Sequence, residues 1–424
     1  MTTASSWHKQ LEQQLIQQWG SKKGTALSQK YETAFHTSYC EANSVATAVK
    51  DIQQLEKLSP ENPSEVDLYE SSNKEQPGLR LRVFQYAKSI PLSDIVPMLE
   101  NMDLRTFEEL PYEILLGKQS KAWISDFSVV YTKNTPVAVD KIKNNFQEIF
   151  TELRLGHCEN DGFNKLVIGA QLSWREITLL RAYTKYLLQT GFRFSQAYIE
   201  NTFANYPSIV RDLVELFNLK FDPKQKSSSQ NQLTALENKI LGNFEAISSL
   251  DEDRILRRIL YLIKATLRTN YFLFKEYSSF KFCSKEVPEL PLPVPLYEIF
   301  VYSPRFEGIH LRSAKVARGG IRWSDRREDF RVEILGLMKA QRVKNSVIVP
   351  SGAKGGFVLK ALPAQPTKDL IQKEVVECYK SFICGLLDLT DNLINDKPTR
   401  PNNIVCYDDF DTYLVVAADK GTAS

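Results

Sequence analysis

The sequence predicts a multidomain α+β protein, and three observations support this fold class. The chain has 424 residues, more than the roughly 100–200 residues of one domain. Apolar residues recur at helical spacing in some stretches and alternate with polar residues in others. Two segments rich in proline and polar residues interrupt these patterns. The predicted parts are a helical segment with a linker (1–78), a small β-α-β-β unit (79–138), a helical domain (139–285) and an α/β portion (286–424).

The N-terminal part is predicted to be helical over residues 7–58. Apolar residues follow helical spacing in two runs, first Leu11, Leu15 and Trp19, then Ala46, Val49, Ile52 and Leu55. The following segment, SPENPSEVDLYESSNKEQPG (59–78), is polar and contains several Pro and Ser residues. This composition predicts a linker or long loop.

From residue 79 the pattern becomes that of strands. Leu79, Leu81 and Val83 alternate with two arginines, as expected of a half-buried strand. A helical stretch (91–104) and two further strand-like stretches follow. The order β-α-β-β is typical of an ACT-like or ferredoxin-like unit, a scaffold that by itself implies little about function.

The middle of the chain, 139–285, is predicted to be mostly helical. DEDRILRRILYLIKATLR (251–268) places acids in its first turn, where the helix dipole favours them. The segment EVPELPLPVP (286–295) contains repeated prolines, which are incompatible with a helix interior or a central strand. We therefore predict a domain boundary there.

The composition argues against several classes of protein. The 54 Lys and Arg residues nearly balance the 51 Asp and Glu residues, so charge alone indicates neither nucleic acid nor an anionic membrane as a partner. No apolar run approaches the roughly 20 residues that a membrane-spanning helix needs. The six cysteines form no CxxC pair and only four histidines exist. We expect no metal site and a reducing cytoplasmic location.

The most informative stretch runs from 307 to 360. In ARGGIR, two glycines predict a turn that directs Arg318 and Arg322 into a pocket. An amphipathic helix follows, with Phe330, Ile334, Leu337 and Met338 as its core residues. SVIVP predicts a short buried strand, and SGAKGG predicts a loop.

Two interpretations of this stretch remain open on the residues alone. Gln341 and Lys344 share one helix face, and Lys354 lies between small residues that let a substrate approach. Burial near other cations would lower the pKa of such a lysine, as proton transfer requires. The alternative is a solvated helix face, because ten Lys or Arg stand against four acids between 312 and 344.

ARGGIRWSDRREDFRVEILGLMKAQRVKNSVIVPSGAKGGF closely resembles the substrate-domain core of glutamate dehydrogenases. The WSDRREDFR version is similar to the large-subunit, NAD-dependent bacterial class, and the resemblance extends over most of the chain. It implies NAD-dependent oxidative deamination of L-glutamate to 2-oxoglutarate and ammonia. It also implies a homo-oligomer that binds L-glutamate and 2-oxoglutarate. Neither nucleic acid nor a membrane is expected as a partner.

The resemblance assigns roles to five residues. Lys354 matches the catalytic lysine, which polarises the substrate and activates water. Lys344 matches the lysine that holds the α-carboxylate, provided that a short deletion precedes Pro350, and Gln341 assists it. Arg318 stands where a lysine often contacts the side-chain carboxylate. Asp419, in VVAADKG, resembles the aspartate that exchanges protons with the amino group, although the proline of that motif is absent here.

The resemblance also places NAD on a Rossmann-like domain after this aspartate. The chain contains no GxGxxG, so we expect NAD to be bound by a domain outside it and the isolated chain to be inactive. The alternative function is a non-catalytic regulatory or oligomerisation module with an amino-acid-sensing ACT-like unit. Nucleic-acid binding through the basic helix is a weaker third possibility, because few aromatic residues are interleaved with its charges.

Overall fold

The structure, a computed structural model, divides the chain into two compact units, Met1–Trp174 and Arg175–Ser424. It describes residues 3–71, 78–116, 120–133, 135–225, 230–344, 351–362 and 365–414, with the backbone alone for 3–5 and 342–344. The predicted strand SVIVP (346–350) and the predicted site residue Asp419 lie outside the described residues.

The first unit combines helices with one antiparallel sheet. Its helices are α1 (Thr3–Tyr31), α2 (Thr37–Ala42), α3 (Val45–Leu55), α4 (Leu92–Glu100), α5 (Val139–Arg154) and α6 (Leu166–Gly169), with a 3-10 turn at Gly162–Lys165. The chain bends inside α1 at Gly20, whose φ of 80° lies in the left-handed region that favours glycine. The predicted helical faces are confirmed at Leu11, Leu15, Ile52 and Leu55, which are all buried.

The sheet of the first unit has the strand order β1-β2-β4-β3. Its strands are β1 (Ser64–Glu70), β2 (Leu79–Tyr86), β3 (Leu104–Leu115) and β4 (Lys121–Tyr131), and every neighbouring pair is antiparallel. The predicted β-α-β-β order is confirmed as β2, α4, β3 and β4. The predicted linker over 59–78 is wrong at β1, because Val66 and Leu68 alternate with polar residues and are buried against the unit.

Arg82 shows that the polar positions of β2 are not all solvated. It is 3% exposed and pairs with Asp51 of α3 and with Asp126 of β4. The hydroxyl of Tyr39 also donates to Asp51. Buried charges of this kind are tolerated only when paired, so these ion pairs fix α3 on the sheet.

The second unit begins with a run of helices, and two more helices lie further along the chain. They are α7 (Trp174–Gln189), α8 (Gln196–Asn205), α9 (Pro207–Phe221), α10 (Gln230–Phe244), α11 (Leu250–Ala265), α12 (Phe330–Lys344) and α13 (Lys368–Leu387). Single 3-10 turns occur at Pro223–Gln225, Tyr271–Leu273 and Ser284–Glu286. The predicted helical character of 139–285 is therefore confirmed as far as residue 265.

Beyond residue 265 the chain enters a six-stranded sheet with the order β5-β6-β7-β8-β10-β9. The strands are β5 (Thr266–Thr269), β6 (Ser278–Cys283), β7 (Tyr297–Tyr302), β8 (Phe306–Arg312), β9 (Ile321–Trp323) and β10 (Ala353–Leu359). Only the pair formed by β9 and β10 is parallel among these described strands. A separate hairpin consists of β11 (Asn392–Ile394) and β12 (Lys397–Thr399).

Two predictions about this region are wrong. Residues 266–283 supply β5 and β6 rather than helix, because their aromatic residues Phe280 and Phe282 are buried within the sheet. The proline-rich segment 286–295 connects β6 with β7, which pair directly along their length. The expected boundary therefore falls inside one sheet, and the prolines mark a connection between neighbouring strands.

Helices α12 and α13 cover opposite faces of the sheet at β10. A side chain at Gly356 would collide with Ile334 of α12, whereas a side chain at Gly308 of β8 would lie 2.6 Å from Phe382 of α13. Gly308 pairs with Phe357, the residue after Gly356, and neighbouring strand residues face opposite sides. Lys354, two residues before Gly356, therefore belongs to the face that α12 covers.

Candidate functional site

The candidate site begins where the main chain around Arg318 runs beside the main chain before Lys354. The Arg318 N–H donates to Ser351 O (3.1 Å), and Ala353 N–H donates to Arg318 O (2.9 Å). Gly355 N–H then donates to Gly320 O at 3.1 Å. The predicted turn at ARGGIR is therefore wrong, because this segment is extended and continues into β9.

Glycines permit this close approach of main chains. A side chain at Gly319 would overlap the carbonyl of Ala353, and one at Gly352 would lie 2.7 Å from Met338 O of α12. Ser313 also brackets Gly352, since its hydroxyl donates to Gly352 O (2.8 Å) and accepts from Gly352 N–H (3.0 Å). The main chains at Gly319, Gly352 and Met338 therefore approach one another so closely that neither glycine position has room for a Cβ atom.

Lys354 lies in strand β10 and not in the predicted loop. It stands opposite Leu311 of β8 and is half-buried. The glycines that indicated a loop lie in or beside this strand, where a side chain at Gly356 would collide with Ile334 of α12 and one at Gly355 with Ile321 of β9. The strand fixes the main chain from which the Lys354 side chain extends.

Gln341 lies at this junction of the main chains around Arg318 and Gly352, near the C-terminal end of α12. A side chain at Gly319 would be 3.2 Å from its Oε1, and one at Gly352 would be 3.5 Å from its Cβ. This Oε1 is buried and accepts no hydrogen bond within the described part of the chain. An unsatisfied buried amide is costly, so the position suits a ligand that supplies the missing partner.

The structure thus brings the main chain of Arg318 together with Gln341 and with the strand of Lys354. Arg318 itself is exposed. Lys344 is the last residue of α12, one turn beyond Gln341. The assignment of catalytic and binding roles to these residues stays a prediction.

The sequence predicts that Arg322 faces the pocket together with Arg318, but the two arginines have different surroundings. Its Nη1 lies 3.3 Å from Glu333 Oε1 of α12, and the Ser324 hydroxyl donates to the other oxygen of Glu333 (2.6 Å). Its Nε is buried without a hydrogen-bond partner among the described residues. Glu333 therefore compensates Arg322, whereas Arg318 offers its charge to solvent.

The cations between 312 and 344 do not form one solvated face. Arg326 and Lys339 are exposed, as that interpretation requires. Arg331 and Arg312 are 0% and 5% exposed and pair with acids, so the interpretation is wrong for them. Phe330, Ile334 and Met338 are confirmed as buried core residues of α12, whereas Leu337 is only half-buried.

An ion-pair cluster near the C-terminal end of the described chain was missed in the sequence. Lys281 Nζ lies 2.6 Å from Asp408 and 2.7 Å from Asp411, and Arg312 also pairs with Asp411. Arg268 binds Asp408 as well (2.6 Å). The only signal in the sequence is the acidic run YDDFD, which solvent-exposed acids would produce equally well.

The cluster borders a small cavity on the sheet face that α13 covers, where His310 and Tyr413 also contribute to its lining. Burial acts to raise the pKa of Asp411, but its hydrogen bonds with Arg312 and the charges of Lys281 and Arg312 outweigh burial and lower this pKa to about 2. His310 is 3% exposed.

The described residues contain no cluster of His, Cys, Asp and Glu that could hold a metal ion. All six cysteines are free. Within the same ranges, no helix combines the length and apolar character that crossing a membrane requires.

Comparisons with protein-family models place this geometry in context. The model described as bacterial NAD-glutamate dehydrogenase, catalytic domain, matches residues 239–424 and therefore contains the whole junction. Three further models for glutamate dehydrogenases match the rest: helical motif 2 (14–58), the ACT3 domain (63–142) and helical motif 3 (158–223). The chain belongs to the bacterial NAD-glutamate dehydrogenase family. The predicted resemblance is confirmed.

Curated relatives in this family carry the name NAD-specific glutamate dehydrogenase. The proteins of Halomonas elongata and Pseudomonas aeruginosa are each 45% identical to this chain over 99% of its length. The protein of Mycobacterium tuberculosis is 44% identical over 95% of the chain. The chain spans about a quarter (26%) of the length of each of these relatives.

The family models also bear on the predicted parts of the chain. The ACT3 match begins at residue 63 and so includes β1, which the sequence had indicated as linker. The catalytic-domain match begins at residue 239, well before the proline-rich segment, in agreement with the sheet that spans this segment.

Proposed function

We propose that this chain forms part of an NAD-dependent glutamate dehydrogenase, which converts L-glutamate to 2-oxoglutarate and ammonia. The observation that carries the proposal is the glycine-lined junction at which the Arg318 main chain, Gln341 and the Lys354 strand meet. Membership of the family and the names of the relatives support the same reaction.

The junction offers the groups that a dicarboxylic amino acid requires. The exposed guanidinium of Arg318 suits the side-chain carboxylate, because Arg presents several donors to one carboxylate. Gln341, one helical turn before Lys344, offers both a donor and an acceptor, and the two residues would hold the α-carboxylate and its neighbouring atoms. A substrate fixed at both ends presents its Cα in one orientation.

The proton transfers are assigned to Lys354 and Asp419. The amine of Lys354 would polarise the substrate and activate the water that hydrolyses the imine. Asp419 would exchange protons with the departing amino group. NAD accepts the hydride from Cα when it is bound, and none of the described residues is assigned to NAD, because they carry no GxGxxG between a strand and a helix.

A steady-state assay of the full-length enzyme tests the proposal. L-glutamate and NAD should give equal amounts of NADH, 2-oxoglutarate and ammonia, whereas L-norvaline, which lacks the second carboxylate, should react far more slowly. Absence of NADH together with calorimetric binding of an amino acid would favour the alternative, a regulatory module built on the ACT-like unit. Homo-oligomeric assembly and a cytoplasmic location stay predictions.

A further inference from the structure

The segment 408–414 contains neither helix nor strand, and ion pairs contribute to its position. Lys281 and Arg312 hold it through Asp408 and Asp411. Lys281 is 1% exposed and Arg312 is 5% exposed, and ion pairs in such surroundings are screened little by solvent. Along the chain this segment leads toward Asp419.

Tyr413 links this segment to the loop before β9 through both its main chain and its side chain. Its carbonyl accepts a hydrogen bond from Nη1 of Arg312 in β8. Its hydroxyl donates to the carbonyl of Ala317 at 2.7 Å. Ala317 is 0% exposed and directly precedes Arg318, so the hydroxyl contacts the main chain at the point from which the guanidinium extends.

The other side of this main chain is bound as well. Arg318 N–H and O are bonded to Ser351 and Ala353, the residues that lead into Lys354. The Tyr413 hydroxyl therefore completes a clamp, in which the main chain at 317–318 is held from one side by β10 and from the other by the segment 408–414.

We propose that Tyr413 is a positioning residue that determines specificity for dicarboxylic amino acids, by fixing the main chain that carries Arg318. The inference rests on the proposed function and assigns a residue that acts on substrate only through Arg318. A displacement of about 1 Å can lower a rate by up to roughly 100-fold. Without the hydroxyl, Arg318 would meet the side-chain carboxylate less often, while substrates without this carboxylate would lose nothing.

Tyr407 offers a matched control within the same stretch of chain. Its hydroxyl also donates to a main-chain carbonyl at 2.7 Å, that of Lys220, away from the junction. In the full-length enzyme, Tyr413→Phe should lower the ratio of kcat/KM for glutamate over norvaline by roughly tenfold. Tyr407→Phe should leave this ratio within about a factor of two, since an exposed hydrogen bond contributes little.

A second measurement does not depend on activity. In the 424-residue chain, amide hydrogen exchange of the peptide covering 317–323 should become about 2- to 12-fold faster in Tyr413→Phe, the factor that corresponds to one net hydrogen bond. Tyr407→Phe should leave this peptide unchanged. Unchanged exchange in Tyr413→Phe, or an equal loss of activity with both substrates, overturns the positioning role. A wild-type enzyme that does not oxidise glutamate refutes the proposed function itself, and the specificity role with it.

Discussion

Glu298 and Arg331 form a bidentate ion pair in which both side chains are fully buried. Arg331 Nη2 lies 2.5 Å from Glu298 Oε1, and Nε lies 2.9 Å from Oε2. The hydroxyl of Tyr186 donates to the same carboxylate at 3.0 Å. Burial and the neighbouring Glu298 raise the pKa of Tyr186, so it remains a donor. The pair connects β7 with the first turn of α12, the helix that carries Gln341.

We expect Glu298→Ala to lower the free energy of unfolding by about 3–5 kcal/mol, because it leaves the charge of Arg331 buried without its partner. The control is Arg326→Ala, which removes the partner of Asp329 in an exposed ion pair and should cost under about 1 kcal/mol. Urea denaturation measures both. Equal costs for the two variants would show that the buried pair does not stabilise the unit.

Lys354→Met in the full-length enzyme should lower kcat by at least roughly 1,000-fold, since a positioned acid–base group contributes about 10²–10⁴-fold. The substitution keeps the length of the side chain, so the circular-dichroism spectrum should match that of the wild type. Lys339→Met, at an exposed position of α12, should keep nearly full activity. If Lys354→Met retained more than a tenth of the wild-type rate, another residue would have to be the catalytic lysine.

Local patterns predicted much of the fold because they depend on neighbours along the chain. The alternation of Leu79, Leu81 and Val83 marks β2, and the spacing of Phe330 and Ile334 marks the buried face of α12. Strand β1 was missed because only two of its residues are apolar and buried, and the Pro and Ser residues around it are typical of a loop.

The residues that the sequence misplaced depend on partners far along the chain. Lys354 was assigned to a loop because glycine disfavours strands, yet Ile321 of β9 and Ile334 of α12 leave no room for a side chain at Gly355 and Gly356. Arg331 carries a charge like its solvated neighbours, and its partner Glu298 is 33 residues away. Asp411 meets Lys281 across 130 residues. Composition and periodicity contain no information about such pairs.

Arg318→Ala separates substrate recognition from a solvated charge. If Arg318 binds the side-chain carboxylate, its removal should lower kcat/KM for glutamate. The corresponding activation free energy should rise by about 2–5 kcal/mol, the cost of truncating one partner of a desolvated charge pair. Activity with norvaline should change little, because norvaline lacks this carboxylate. Arg326→Ala should lose under about 1 kcal/mol with either substrate. An equal loss with both substrates in Arg318→Ala would indicate a structural role for Arg318.

The lowered pKa of Asp411 makes the stability of the second unit dependent on pH. The pKa is about 2 in the folded chain, against an ordinary value of 3.8. Because the folded value is the lower one, the stabilisation is fully present above about pH 4 and is lost as the pH falls toward 2. Its size is of order 2 kcal/mol, since one pKa unit corresponds to about 1.4 kcal/mol.

Asp411→Asn tests this dependence, because asparagine keeps the shape of the side chain and does not titrate. The difference in unfolding free energy between the wild type and Asp411→Asn should be constant from neutral pH down to about pH 4 and should then shrink. Urea denaturation at a series of pH values measures it. Asp409→Asn is the control, since the Asp409 side chain is 88% exposed and its removal should change stability by under about 1 kcal/mol at every pH. If this difference stayed constant below pH 4, Arg312 and Lys281 would not lower the pKa of Asp411. The segment 408–414 would then be held by its other contacts.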